Sequence, residues 1–313
     1  MVKKMKKLLA ILLAALMLVS VTACNTKVED SLSTVKLDIV EEDDTFVGEK
    51  GTFKYEYLDT STLCITQYIP VSDSLQALTI PSEMNGKKVV EIGAEAFKNI
   101  SAISSVTVPA TITKIGEQAF VDCDNLKSVT LPASLTVLGS YAFAYCDALE
   151  TVAFTGDEKL TAIGESAFHH CVALSNIVLP ATVSEIGTGA FMGCTALESL
   201  NLSYAGLTKI GDSAFMNCTG LANVELSQSL VYCGAYAFGG CVDTTFTFLS
   251  TDGWNAEGLD VDVSTFLFIQ AAGLAYHRRT KCGVYHQGRI APLYLITRQR
   301  ASTCGLMISS PLG

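Results

Sequence analysis

Eleven cysteines in a chain of 313 residues are the first candidates for chemistry, because a thiolate can ligate a metal or act as a nucleophile, and paired thiols can close a disulfide. Six of them, Cys123, Cys146, Cys171, Cys194, Cys218 and Cys241, recur at near-equal intervals. No Cys-x-x-Cys pair or nearby histidine completes four converging metal ligands. His169 and His170 beside Cys171 form the one local cluster that hints at metal or nucleophilic chemistry. Adjacent side chains point apart, so solvated turn histidines are the simpler reading. Glu117, Glu165, Glu185 and Asp212 occupy matching polar turn positions. They read as a solvated edge, since acid and base work needs burial and unequal environments. Gly-x-Ser-x-Gly, His-Glu-x-x-His, phosphate-loop and dinucleotide fingerprints do not occur. The expectation is a chain with no catalytic residue, no metal and no cofactor.

The elements that position these residues are set by a repeat. Ile-Gly-x-x-Ala-Phe stands at Ile92–Phe97, Ile115–Phe120, Ile163–Phe168, Ile186–Phe191 and Ile210–Phe215, with variant first residues at Leu138–Phe143 and Cys233–Phe238. The glycines of successive copies lie 23, 23, 25, 23, 24 and 23 residues apart, a period that signals a solenoid. Each copy continues as in Leu126-x-x-Val129-x-Leu131-Pro132-x-x-Leu135-x-x-Leu138. Alternation around Val129 predicts a short strand. Pro132 turns the chain, and Leu135 to Leu138 is a second extended piece ending at a glycine suited to a tight bend. Ala142-Phe143 is placed in a short helical or 3₁₀ turn leading to Cys146. Such a coil cannot bury its apolar set alone, but stacked copies share a continuous core.

Stacking also bears on the cysteines. Equivalent positions in neighbouring coils lie about 4.8 Å apart with parallel Cβ vectors, whereas a disulfide needs Cβ atoms about 3.5–4.5 Å apart and turned together. Buried thiols that pack as small apolar groups and bond weakly to turn backbone fit better, even in an exported protein.

These motifs resemble the BspA-type leucine-rich repeat proteins, a bacterial surface family. The match runs from Ile92 to Cys241 and extends upstream through Leu78-x-Ile80-Pro81 and Asn85-Gly86-Lys87-Lys88-Val89. Ile100 and Cys233 depart from the pattern, and Phe154-Thr155-Gly156-Asp157 lacks the proline. The resemblance implies a leucine-rich-repeat solenoid of stacked coils of about 23 residues, displayed outside the cell, commonly as an adhesin or host-protein binder.

Charge divides the chain. Residues 1–23 hold Lys3, Lys4, Lys6 and Lys7, then an apolar run from Leu8 to Val19 and small residues, the order of a secretory signal peptide. Val21-Thr22-Ala23-Cys24 resembles the lipobox of bacterial lipoproteins, which implies a lipid anchor on Cys24 at the cell membrane's outer face. Residues 24–50, rich in acids, read as a flexible spacer, 51–245 as the solenoid and 246–270 as a C-terminal cap with Trp254 shielding its edge. Residues 271–313 carry every arginine of the chain and no acid. That tail is either a cationic segment for anionic polymer or lipid, or a non-native end. Overall the chain is 49% hydrophobic, which excludes disorder as a whole, and its net charge of −10 argues against nucleic acid.

The remaining surface for contact is the strand face. Its columns read Ser105 and Thr107, Ser128 and Thr130, Thr151 and Ala153, Asn176 and Val178, Ser199 and Asn201, Asn223 and Glu225. A second column holds Thr113, Thr136, Thr161, Ser184 and Thr208. Hydroxyl residues suit exposed strands in any case, yet solenoids bind through such faces. The functional expectation is non-catalytic binding or adhesion to a host or neighbour-cell protein or glycan. The alternative is a structural spacer or envelope assembly element without a specific ligand.

Overall fold

The computed structural model describes residues 44–156, 159–204, 206–241 and 243–248, with the backbone of 255–256, 259–260 and 276–277. The signal segment, Cys24, Trp254 and most of the basic tail lie outside the described residues.

The chain enters through an antiparallel hairpin. β1 (Thr45–Val47) pairs with β2 (Gly51–Tyr57), and β2 with β3 (Thr62–Pro70). Residues 45–47, expected in the spacer, are therefore strand, because Phe46 packs on Phe53 with ring centroids 6.4 Å apart. β3 also pairs parallel with β6 (Lys87–Ile92), and the Tyr68 amide donates to the Ala96 carbonyl as the later turns do, so this strand of the hairpin forms the first rung of the stack.

From β4 (Gln76–Thr79) onward the chain winds in coils, with a small hairpin between β5 (Glu83–Met84) and β6. One side is built from β4, β7 (Ile103–Thr107), β9 (Ser128–Pro132), β11 (Thr151–Thr155) and β13 (Asn176–Ile177) in one parallel sheet. A separate three-stranded sheet continues it with β15 (Ser199–Leu202), β17 (Asn223–Leu226) and β19 (Thr245–Phe248). The other side stacks two-residue strands: β8 (Lys114–Ile115) and β10 (Val137–Leu138) extend the sheet of β6. β12 (Ala162–Ile163), β14 (Glu185–Ile186), β16 (Lys209–Ile210) and β18 (Tyr232–Cys233) form the next sheet. Two short pieces, β20 (Asn255–Ala256) and β21 (Leu259–Asp260), pair with each other, and β22 (Tyr276–His277) pairs antiparallel with β18.

Each sheet break falls beside a longer coil. The 25-residue coil from Gly139 to Gly164 spans the gap between β10 and β12, and the 24-residue coil from Gly187 to Gly211 contains β15, which begins the new sheet after β13. An added residue displaces part of the coil from the stride of its neighbours, and paired strands tolerate little slip.

The core is a column of aromatic rings. Phe97, Phe120, Phe143, Phe168, Phe191, Phe215 and Phe238 stack with centroids 4.6 to 5.6 Å apart and planes within 14°. Tyr68 continues the stack at the N-terminal end, and Phe246 closes it edge-on at the other. Leu126, Leu131 and Leu135 are fully buried and with their equivalents fill the rest of each coil, Phe154 in the place of Leu131 being only partly buried.

The turn around Phe is not the helical or 3₁₀ turn the sequence predicted; no helix occurs among the described residues. Two residues per turn take positive φ, for example Gln118 at 54° and Asp122 at 57°, then Tyr141 at 56° and Tyr145 at 59°. This conformation lets alternate amides point along the stack. Gln118, Phe120 and Asp122 donate to the carbonyls of Ser140, Ala142 and Ala144 in the next coil, at 2.9, 2.7 and 3.0 Å. A helix would turn those amides back on their own carbonyls. A left-handed non-glycine residue costs about 1–2 kcal/mol, and the inter-coil ladder offsets it.

The repeat glycines serve close approach rather than a bend that needs positive φ. A Cβ on Gly139 would lie 2.5 Å from the carbonyl carbon of Gly116, and one on Gly116 would lie 2.7 Å from that of Gly93. Neighbouring backbones occupy the space of the missing side chain.

Candidate functional site

The strand face is positioned by alternation. Val106, Val129, Val152, Ile177, Leu200 and Val224 point inward and are buried. Their neighbours therefore point out. Ser105, Ser128 and Thr130 are half-exposed, while Thr107, Thr151, Asn176, Ser199, Asn201, Asn223 and Glu225 are exposed. Register brings them into rows: Ser105 stands opposite Ser128, Ser128 opposite Thr151, and Thr151 opposite Asn176. Beyond the sheet break, Ser199 stands opposite Asn223 and Asn201 opposite Glu225. The structure thus brings together the predicted residues in two blocks rather than one.

At the boundary between these blocks stands Val178, 77% exposed, where the sequence reading placed it as one member of a polar column. In the loop after β15 the hydroxyl of Tyr204 is buried with no hydrogen-bond partner among the described residues, and that burial pushes the phenol pKa up. Asn201 is partly committed, since its Oδ1 accepts from the Ser203 amide at 2.9 Å and the Ser203 hydroxyl at 2.6 Å.

The second column differs in kind. Thr113 donates its hydroxyl to the Val90 carbonyl at 3.3 Å, Thr136 to Thr113 at 2.9 Å, Ser184 to Thr161 at 3.2 Å and Thr208 to Ser184 at 3.1 Å. These hydroxyls hold one coil to the one before it. By contrast, no such bond is made by the hydroxyls of Ser105, Thr107, Ser128, Thr130 and Thr151 among the described residues. Both columns reach solvent, but the hydroxyl protons of Thr113, Thr136, Ser184 and Thr208 are spent between coils, while those of the first column are not.

The cysteines follow the same logic. Cys123, Cys146, Cys171, Cys194 and Cys218 each donate Sγ–H to the carbonyl of Phe97, Phe120, Phe143, Phe168 and Phe191 respectively, at 3.1 Å, and Cys241 donates to Phe215 at 3.2 Å. All six are free thiols. Burial pushes Cys194 up to about 12 and Cys241 up to about 11, and raises Cys146, Cys171 and Cys218. Such thiols resist ionisation and are poor nucleophiles.

Cys171 accordingly points into the core, away from its histidine neighbours. His170 Nδ1 lies 3.7 Å from an Asp147 carboxylate oxygen at the exposed edge. His169 meets the Tyr145 ring edge to face, with centroids 5.1 Å apart. Its Nδ1 is buried without a partner, and burial first, then His170, lowers its pKa. The three do not converge on one point. Among the described residues no group of three or more His, Cys, Asp or Glu side chains is arranged to hold a metal ion.

Of the carboxylates read as one solvated edge, two have structural partners. Glu185 pairs with Lys209 across β14 and β16. Asp212 accepts from the Tyr232 hydroxyl and the Ala235 amide, both at 2.9 Å. Glu117 and Glu165 are exposed.

Stacked coils, a phenylalanine column and an exposed parallel strand face define a leucine-rich-repeat solenoid. A sequence profile of the BspA type leucine rich repeat region, in six copies, matches residues 65–197 and 155–252. The chain belongs to the BspA-type leucine-rich repeat family. Among solved structures it is similar to the leucine-rich repeat protein of T. pallidum, at 30% identity over 62% of this chain and 88% of that one, with a TM-score of 0.55. A leucine-rich repeat protein of Bacteroides ovatus matches at 26% identity over 62% of this chain and 56% of that one, with a TM-score of 0.44. A leucine rich cell surface protein of Faecalibacterium prausnitzii matches at 27% identity over 60% and 55%, also with a TM-score of 0.44. No curated protein matches the chain.

Proposed function

We propose that the chain is a non-catalytic binding protein of the bacterial surface, held at the outer face of the membrane by lipid on Cys24. Its strand face contacts a protein or glycan of a host or neighbouring cell. The observation that carries this reading is the row Ser105, Ser128, Thr151 and Asn176, side chains in register, half-exposed or exposed, whose polar groups are not spent inside the protein. Family membership adds that solenoids of this kind use extended faces for binding. The row lacks Trp, Tyr and Arg, the residues that dominate tight interfaces. Affinity per molecule is therefore modest and is raised by display in many copies.

A glycan and matrix-protein array probed with the full chain tests the face. Replacing Ser128, Thr130, Thr151 and Asn176 together with Lys is expected to lower binding at least about tenfold, because four long ammonium side chains must be displaced or desolvated for a ligand to reach the sheet. Thermal unfolding is expected to stay unchanged. Equal binding by the variant would move the contact surface elsewhere, and binding to nothing on the array would favour a spacer. Cys24→Ala is expected to release the protein from membranes without detergent.

A further inference from the structure

Large apolar side chains exposed to solvent are concentrated at one end of the described chain. Val47 is 78% exposed, Val71 70% and Leu75 56%, with Ile69 close behind at 41%. The others outside this region, such as Val137 and Val178, stand apart along the solenoid. Strand register explains the cluster. Phe46, Phe53 and Tyr68 turn inward, so the opposite face of the hairpin carries the row Val47, Thr52 and Ile69. The Lys50 carbonyl then accepts from the Val71 amide at 3.0 Å, the Tyr68 hydroxyl at 2.7 Å and Gln76 Nε2 at 3.0 Å. These bonds pin residues 71 and 75–76 beside the same hairpin. Monomeric proteins seldom leave such a patch uncovered without a use for it.

We infer that this hairpin face docks on the surface of the lipid bilayer to which the chain is tethered. The inference rests on the lipid anchor at Cys24 proposed above. Twenty residues separate Cys24 from Thr45, and a chain of that length reaches at most about 70 Å. A tether of that reach presents the membrane to the hairpin at roughly millimolar effective concentration. A few aliphatic side chains, which bind a bilayer only at about millimolar lipid, then suffice to sit at the headgroup boundary. Charges beside the patch are mixed, Lys50 and Lys54 against Glu49 and Asp73. Docking is therefore driven by the apolar side chains and is insensitive to headgroup charge. The strand face of the solenoid stays free for its ligand.

The test uses the chain from residue 24 onward carrying Cys24→Ala, so that neither the anchor nor the apolar run Leu8 to Val19 contributes. It is mixed with phosphatidylcholine vesicles up to millimolar lipid and followed by flotation and hydrogen exchange. Saturable co-flotation is expected, with amide protection confined to residues 45–52 and 67–76, and equal binding to vesicles containing anionic lipid. Val47→Ser, Val71→Ser and Leu75→Ser are each expected to weaken partitioning about tenfold. Absence of co-flotation by the folded chain overturns the proposal. Protection that arises without vesicles and grows with protein concentration overturns it in favour of a second copy on the patch. Because this chain lacks the anchor, its result is independent of lipidation; failure of the anchor shows separately as detergent-free extraction of the unsubstituted protein from cells.

Discussion

At Gly139 the nearest backbone atoms, the Gly116 carbonyl carbon and the Glu117 nitrogen, lie 2.5 and 2.7 Å from where a Cβ would stand. Both belong to rigid backbone that cannot swing aside. Gly139→Ala is therefore expected to cost about 2–4 kcal/mol, read as a lower urea midpoint. Gly86 offers the contrast: its φ is 74° but a Cβ there meets nothing within 4 Å. Gly86→Ala should cost only the left-handed penalty of about 1 kcal/mol. Equal losses at the two sites would refute the close-approach account. The glycine period was plain in the sequence, but its cause was not, because a bend and a close approach leave the same letter in the chain. The same ambiguity hid the turn conformation. Glu95, Gln118, Tyr141 and Ser166 hold positive φ without sharing a residue type, so no letter announces it.

The phenylalanine column and the turn ladder act as one element. Phe168 lies between Phe143 and Phe191, with centroids 5.6 and 5.3 Å away. Its amide donates to the Ala190 carbonyl, and its carbonyl accepts from the Cys194 thiol. Phe168→Ala opens a cavity in the middle of the stack and is expected to cost about 3–5 kcal/mol. Since each coil is stabilised by its neighbours, hydrogen exchange should accelerate first in the coils on either side. Loss of protection spread evenly from residue 44 to residue 248 would show instead that the solenoid unfolds as a single unit. The strand face was legible at this scale because alternation around Val129 and its equivalents assigns in and out directly. The division of the face into two sheets is not written in that alternation. It depends on where the added residue of the longer coil falls relative to the strand, which counting alone does not place.

Across the whole molecule the buried thiols add up to a dependence on alkaline pH. An ordinary thiol ionises near 9, whereas burial holds Cys194 near 12 and Cys241 near 11 and raises Cys146, Cys171 and Cys218 as well. The folded state keeps protons that the unfolded chain releases. Their contribution to stability is thus complete below pH 9 and is lost as pH rises toward the folded values. Each thiol adds a slope of up to about 1.4 kcal/mol per pH unit in that window. The urea midpoint measured in reducing buffer is expected to fall between pH 8 and pH 10.5, and to fall less steeply in a Cys171→Ala, Cys194→Ala variant. Identical slopes would assign the effect to lysines and tyrosines. The 23-residue stride by itself determined the stacked coils, the shared core and the inward path of Phe and Cys, because an apolar set repeated at that interval has only its neighbours to bury against. Which polar side chains remain available was decided only by the tertiary structure. Thr136 and Thr130 are the same residue six positions apart, yet the hydroxyl of one donates to the carbonyl of the preceding coil and that of the other makes no such bond among the described residues. That difference comes from the height and direction of each backbone relative to the next coil, a distance between chains rather than a property of either residue.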